Sequence, residues 1–126
     1  MRYFDLHCDT MTECCVKDKH IDKNDLHIDC QRAAEFDTYI QCYAVWIPDN
    51  LRGGAAFHRF QQVAERFSEE ILHHEQAMYQ YRTLEDLAHS DSRHCEVLTV
   101  ENAAALGGRL ENIAEFAQFG VKLCSL

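Results

Sequence analysis

Proline is nearly missing from this chain, with a single residue, Pro48, among 126. A proline-rich linker or polyproline segment is thereby excluded, and the one ring is expected to close a strand rather than separate domains. Glycine is scarce too, at five residues. Neither Gly53-Gly54 nor Gly107-Gly108 lies in a GxGxxG or GxxxxGK[ST] pattern, so both pairs read as flexible loops and not as phosphate cradles. Basic charge is in deficit: 12 Lys and Arg against 21 Asp and Glu leave a net charge of -9. Nucleic-acid backbones and anionic membrane surfaces would be repelled at long range. No run approaches the roughly 18 apolar residues of a membrane span. The first residues also lack the basic, apolar and small-residue regions of a secretory signal, which leads to the expectation of a cytoplasmic protein.

Disulfide and zinc-ribbon frameworks are missing as well. The seven cysteines, Cys8, Cys14, Cys15, Cys30, Cys42, Cys95 and Cys124, are odd in number and form no CxxC pair. Most are expected to be free thiols, with Cys42 and Cys124 acting as small hydrophobes inside apolar runs. What is present is the balance of a soluble globular protein, 47% hydrophobic and 26% charged. Residues 1–126 are long enough to bury one sizeable core, and no repeat or low-complexity tract divides them.

Four apolar runs read as buried strands: Tyr3 to Leu6, Tyr39 to Ile47, Glu96 to Val100 and Val121 to Leu126. YIQCYAVWI is almost continuously apolar, which suits a parallel sheet covered on both faces. Helical patterns lie between. From Ala55 to Tyr81, residues Phe57, Phe60, Ala64, Phe67, Ile71, His74 and Met78 recur at spacings of three and four. A second helix is expected from Thr83, its cap, with Asp86 as a capping-box acid, to His89-Ser90. A third is expected from Leu110 to Phe119, with Leu110, Ile113, Ala114 and Ala117 on one face and Gly120 as its C-cap. Alternating strands and helices predict an α/β fold with a parallel sheet, doubly wound or barrel-like; in both, ligands bind at the C-terminal strand ends.

Two strand ends carry candidate chemistry. Residues two apart in a strand share a side, so His7 and Asp9 can converge on one ion while Cys8 faces away. Imidazole nitrogen and carboxylate oxygen are both zinc ligands. The run EVLTVENAA ends in Glu101 at the corresponding place, which makes a His-Asp-Glu set available to one metal ion or to half of a dinuclear centre. Two blander readings stay open: His-x-Asp as an ordinary polar strand end, and Glu101 as a helix cap. Asp5, on the side of His7 and Asp9 by simple alternation, is a candidate to orient a ligand. The His73-His74 pair reads as a boundary feature of the long helix, and Cys14-Cys15 with His20 resembles a metal cluster only loosely.

Taken together, FDLHCDTM, YIQCYAVWIPD, TVEN and LENIAEFAQFGVKLCSL resemble, in order, motifs of the membrane (renal) dipeptidase family of zinc metallopeptidases. In that family the first strand ends in D-x-H-x-D, the third in E-G-G, and a later helix leads into G-V-[RK]-x-[LC]-[ST]-L. Here Asn102-Ala103 stand where the paired glycines belong. The resemblance implies a (β/α)8 barrel with two zinc ions, of which this chain would be the N-terminal half, about four parallel strands with intervening helices. It implies that His7 and Asp9 bind one zinc, that Glu101 bridges both, and that a metal-bridging hydroxide hydrolyses dipeptides. An eight-stranded barrel needs about 200 to 250 residues, so the chain is expected to be a fragment of a larger dipeptidase. Such a fragment would hold one ion weakly at most and would pair with itself or with a missing C-terminal half. The alternative is a non-catalytic dipeptidase-like domain for association or for thiol and metal binding.

Overall fold

The apolar run around Tyr43 forms β2 (Thr38–Trp46), the longest strand of an all-parallel sheet. A computed structural model describes residues 1–88 and 93–126 of the chain. In chain order the elements are β1 (Arg2–Cys8), α1 (Thr10–Lys17), α2 (Cys30–Ala33), β2, α3 (Gly53–His73), β3 (Met78–Gln80), β4 (His94–Glu101), α4 (Ile113–Phe119) and β5 (Leu123–Cys124). Short 3-10 turns occupy Leu84–Ala88, Ala103–Leu106 and Leu110–Asn112. β1 pairs with β2, β2 with β4, and both β3 and β5 lie along the far edge of β4, all parallel. No helix of the described residues is long and apolar enough to cross a membrane.

The period-2 alternation of the strands divides the sheet into two faces. Tyr43, Val45, Leu98 and Val100 pack with Phe60, Val63, Ala64 and Phe67 of α3 in one buried core. The opposite, concave face carries Phe4, Trp46 and Leu123, all substantially exposed. A parallel sheet with helices on one face and an open concave side is the expected half of a (β/α)8 barrel, with one strand more than sequence periodicity shows.

That extra strand, β3, lies in the tail of the long helical pattern. α3 ends at His73 because the His74 carbonyl accepts from Ala77 N–H at 2.8 Å and from Met78 N–H at 3.0 Å, which turns the chain into the β4 ladder. Met78 therefore keeps its place in the core, on a strand rather than a helix. Around Thr83 a 3-10 turn replaces the expected α-helix. Asp86 Oδ2 accepts the backbone N–H groups of Arg82 and Thr83 at 2.7 and 2.6 Å, while the Thr83 hydroxyl donates to Asp86 instead of capping. The expected end of that helix, His89-Ser90, lies outside the described residues.

The packing side of the third helix also differs from the Leu110, Ile113, Ala114 and Ala117 stripe, for those residues are exposed. Phe116 and Phe119 face inward instead, with ring centroids 4.1 and 5.7 Å from that of Phe60. Two large rings bury more apolar area than two alanines, and they decide the rotation of the helix. Gly120 does cap it, with φ of 81°, and a Cβ there would lie 2.6 Å from Gln80 Nε2. Gly107 is packed rather than loose: a Cβ there would stand 2.9 Å from the carbonyl oxygen of Gly53, the residue that opens α3. β5 is shorter than expected; among the described residues its only strand partner is β4.

Polar groups also sit inside this layer, Glu96 among them. Glu96 of β4 is 1% exposed, flanked in register by Gln41 and Gln80. Among the described residues its carboxyl oxygens have no hydrogen-bond partner, because Gln41 is engaged by the Tyr39 hydroxyl and by the Cys42 carbonyl. Burial pushes its pKa well above the ordinary 4.5, and the group is held as the neutral acid. A raised folded-state pKa contributes stability that is complete below 4.5 and is lost as pH climbs toward the folded value. Glu96→Gln should therefore flatten the fall in stability above about pH 5. In urea titrations its midpoint should exceed that of the wild type at about pH 8, and the difference should shrink toward pH 5.

Candidate metal centre

The end of β1 is built on a bulge. Asp5 pairs with Gln41 but Cys8 pairs with Tyr43, so β1 contains one residue more than β2 over this stretch. The extra residue reverses the alternation: Asp5 and Cys8 share the helix-covered side, and His7 turns to the concave side. Cys8 is accordingly buried, while the His7 side chain is half exposed. By register Asp5 thus lies on the other side of the sheet from His7, although Asp5, His7 and Asp9 line one cleft at this edge. Asp5 Oδ1 accepts the His7 backbone N–H at 3.1 Å, which pins the bulge and not the imidazole.

Asp9 occupies the N-cap position of α1, yet its side chain makes no capping hydrogen bond. The carboxylate instead faces His7, with Oδ1 3.6 Å from Nε2. Glu101 ends β4, in register with Trp46. Its Oε2 stands 3.4 Å from His7 Nε2. The cap of the following turn falls to Asn102, whose Oδ1 accepts from Ala104 N–H at 2.9 Å, so Glu101 is left to the site. One donor atom from each of His7, Asp9 and Glu101 lies within 4.8 Å of the others. Two carboxylates and an imidazole in that space concentrate negative charge and offer oxygen and nitrogen donors, a set that fits a divalent zinc-like ion with coordination positions to spare.

A cleft of about 300 Å³ adjoins these groups, lined also by Thr12, Glu13 and Trp46. Thr12 Oγ1 donates to the Ala44 carbonyl at 2.9 Å and accepts from Trp46 N–H at 3.2 Å, which fixes the end of β2 beside the site. Sequence reasoning missed Trp46 and Thr12. The signal for Trp46 was its place at the C-terminal end of a strand; Thr12 had none, since its role is a bond to a strand 32 residues away.

The remaining candidates fall elsewhere. Cys14 is buried and Cys15 contacts the Gln62 carbonyl, while His20 and His74 meet at Glu70. Burial pushes the Cys8 thiol up to about 12, and those of Cys14 and Cys95 to about 11. Such thiols stay protonated at neutral pH, which disfavours metal handling by thiolates.

A parallel half-barrel with a His-Asp-Glu cluster at its C-terminal strand ends has the layout of a metallohydrolase barrel. The model of the membrane dipeptidase family (peptidase family M19) matches residues 1–126, and the chain belongs to that family. Comparison with curated proteins returns no match. Among solved structures, the chain is similar to the dipeptidase AC, a metallopeptidase of family M19, at 17% identity and a TM-score of 0.86, covering 99% of this chain and 42% of that one. A metallopeptidase from Rhodobacter sphaeroides, liganded with a phosphinate mimic of the dipeptide L-Ala-D-Ala, is similar at 14% identity and a TM-score of 0.83, covering 98% and 44%. The chain therefore spans less than half the length of these two structures.

Where the family motif has its first glycine, Asn102 adopts φ 84° and ψ 106°, a region that L side chains rarely enter. Its cap and its N–H donation to Ser125 Oγ at 3.1 Å hold it there. Asn102→Ala keeps the strain and loses the cap, and should cost about 1 to 3 kcal/mol in chemical denaturation. Asn102→Gly should recover most of that loss.

Proposed function

We propose that the chain supplies the first strand-end ligands of a metal-dependent dipeptidase: His7 and Asp9 to one ion, and Glu101 shared between two. The observation that carries this reading is the convergence of His7, Asp9 and Glu101 on the concave side, across the ends of β1 and β4. When bound, zinc lowers the pKa of water to about 7 and polarises a carbonyl. Glu101, on a strand with neighbours on both edges, gives a fixed point against which the other donors align. Asp5 holds the backbone of His7, and Thr12 holds that of Trp46. Trp46 offers an apolar wall for a short peptide beside the ligands.

Three donors do not complete two zinc ions, and no fourth donor joins this cluster among the described residues, so the reading requires ligands beyond these three. The 126-residue chain alone is expected to hold at most one ion weakly at this site and to show no appreciable turnover. Joined to the C-terminal half of a family M19 enzyme, it should hydrolyse dipeptides such as L-Ala-D-Ala. In that chimera His7→Ala or Glu101→Gln should lower kcat/KM by at least about a hundredfold, with metal content falling in parallel. Variants that keep wild-type turnover and metal content would overturn the assignment.

A further inference from the structure

A second group of ligating side chains converges on the helix-covered side, away from the concave mouth. Glu70, on the inner face of α3, is 1% exposed. One turn later on the same face, His74 brings Nε2 to 3.4 Å from Glu70 Oε2. From the irregular segment between α1 and α2, His20 brings Nδ1 to 2.8 Å from Glu70 Oε1. One donor atom from each of the three lies within 4.8 Å of the others.

We propose that His20, Glu70 and His74 form a second divalent-metal site, suited to zinc, that clips the segment 18–29 onto α3. This does not rest on the reading of the His7 cluster.

The donor chemistry is two imidazole nitrogens and one carboxylate, a set that zinc accepts with a fourth position left for water. Both ring nitrogens already address the Glu70 carboxylate. An ion between them takes the place of protons that the rings would otherwise share with it, and the side-chain positions change little. The way in is open because the His20 side chain is 58% exposed.

The carboxylate is also held from behind. Its Oε2 accepts the Ile21 N–H at 2.9 Å, and Arg66 Nε lies 3.0 Å from Oε1. Such outer contacts orient a ligand and leave its remaining lone pairs to a metal. Arg66 brings a positive charge against the site: Nη2 donates to the Lys19 carbonyl at 2.7 Å and stands 3.4 Å from His20 Nδ1, and Nη1 stands 3.6 Å from Asp18 Oδ1, so an ion taken up by His20 displaces the guanidinium from that nitrogen. Asp18 and Glu70 together outweigh it, so the local field still favours a cation.

The geometry also says what the ion would do. Glu70 belongs to a regular helix of 21 residues and His74 is its C-cap, whereas residues 18–29 contain no helix or strand. Ligation by His20 ties the second to the first.

The test uses the full chain carrying His7→Ala and Glu101→Gln, so that the concave cluster no longer competes. Calorimetric titration with zinc under reducing conditions should give one ion per chain. Adding His74→Ala, or separately His20→Gln, should weaken uptake by at least about tenfold. Cobalt in place of zinc should give ligand-field bands without a sulfur-to-cobalt charge-transfer band, which sets the buried thiols aside. Zinc should slow amide exchange across residues 19–29 in the parent double variant and have no such effect once His74→Ala is added. His20 and His74 are both partly exposed, so circular dichroism should show the fold kept; if one variant unfolds, the other decides. No zinc uptake by the parent double variant, or uptake untouched by both histidine substitutions, would overturn the proposal.

Discussion

The parallel pairing of β2 with β4 governs the rest of the molecule. Seven residue pairs, from Ile40 with Cys95 to Trp46 with Glu101, run in unbroken register between two strands buried over most of their length. Parallel ladders need a crossover between their strands, and here that crossover contains α3, whose apolar stripe covers one face of the pair. The same register sets the mouth of the sheet. Because both strands end at the level of Trp46 and Glu101, the polar residues that follow a buried run emerge together. Slipping the register by one residue would carry Glu101 to the helix side and Val100 to the mouth.

Against this regular ladder the site is made from irregularities. The bulge in β1 turns His7 to the concave side and consigns Cys8 to the core. Asn102 holds a backbone conformation that suits glycine, and it frees Glu101 from capping duty. Both features lie next to the candidate donors His7 and Glu101, where local strain is tolerated because neighbouring bonds over-determine it. The bulge has the Asp5 to His7 hydrogen bond, and the strained asparagine has bonds to Ser125 and Ala104. Glu96 is a different matter. It is a buried acid with no catalytic neighbour, kept neutral by burial in the layer between sheet and helices.

Much of the architecture was legible because burial writes itself into strands and helices of ordinary length. Tyr39 to Ile47 and Glu96 to Val100 stood out as continuous apolar runs, and each strand differs from its run by only one or two residues at either end. Phe60, Ala64 and Phe67 marked the helix that covers them. What escaped had short-range causes that periodicity averages away. β3 is three residues long and continues the helical phase of the preceding stripe, so only the His74 turn distinguishes it. In α4 the spacing of small and branched residues pointed to one face while Phe116 and Phe119 claimed the other. For the candidate site, His7, Asp9 and Glu101 were legible as strand-end donors, whereas Trp46 and Thr12 depend on a bond between distant segments.

The sequence by itself determined the class of fold and the family and singled out the candidate donors, because apolar period, strand-end polarity and motif order are all local or linear properties. Only the tertiary structure decided which of those donors meet. A one-residue bulge sent Asp5 to the side of Cys8 and His7 to the side of Glu101, and no alternation rule contains that step. The tertiary structure also brought His20 to Glu70 across 50 residues of chain, with His74 on the same carboxylate. The physical reason is the same in both places: side-chain direction is set by hydrogen-bond register between segments, and register exists only once the segments have paired.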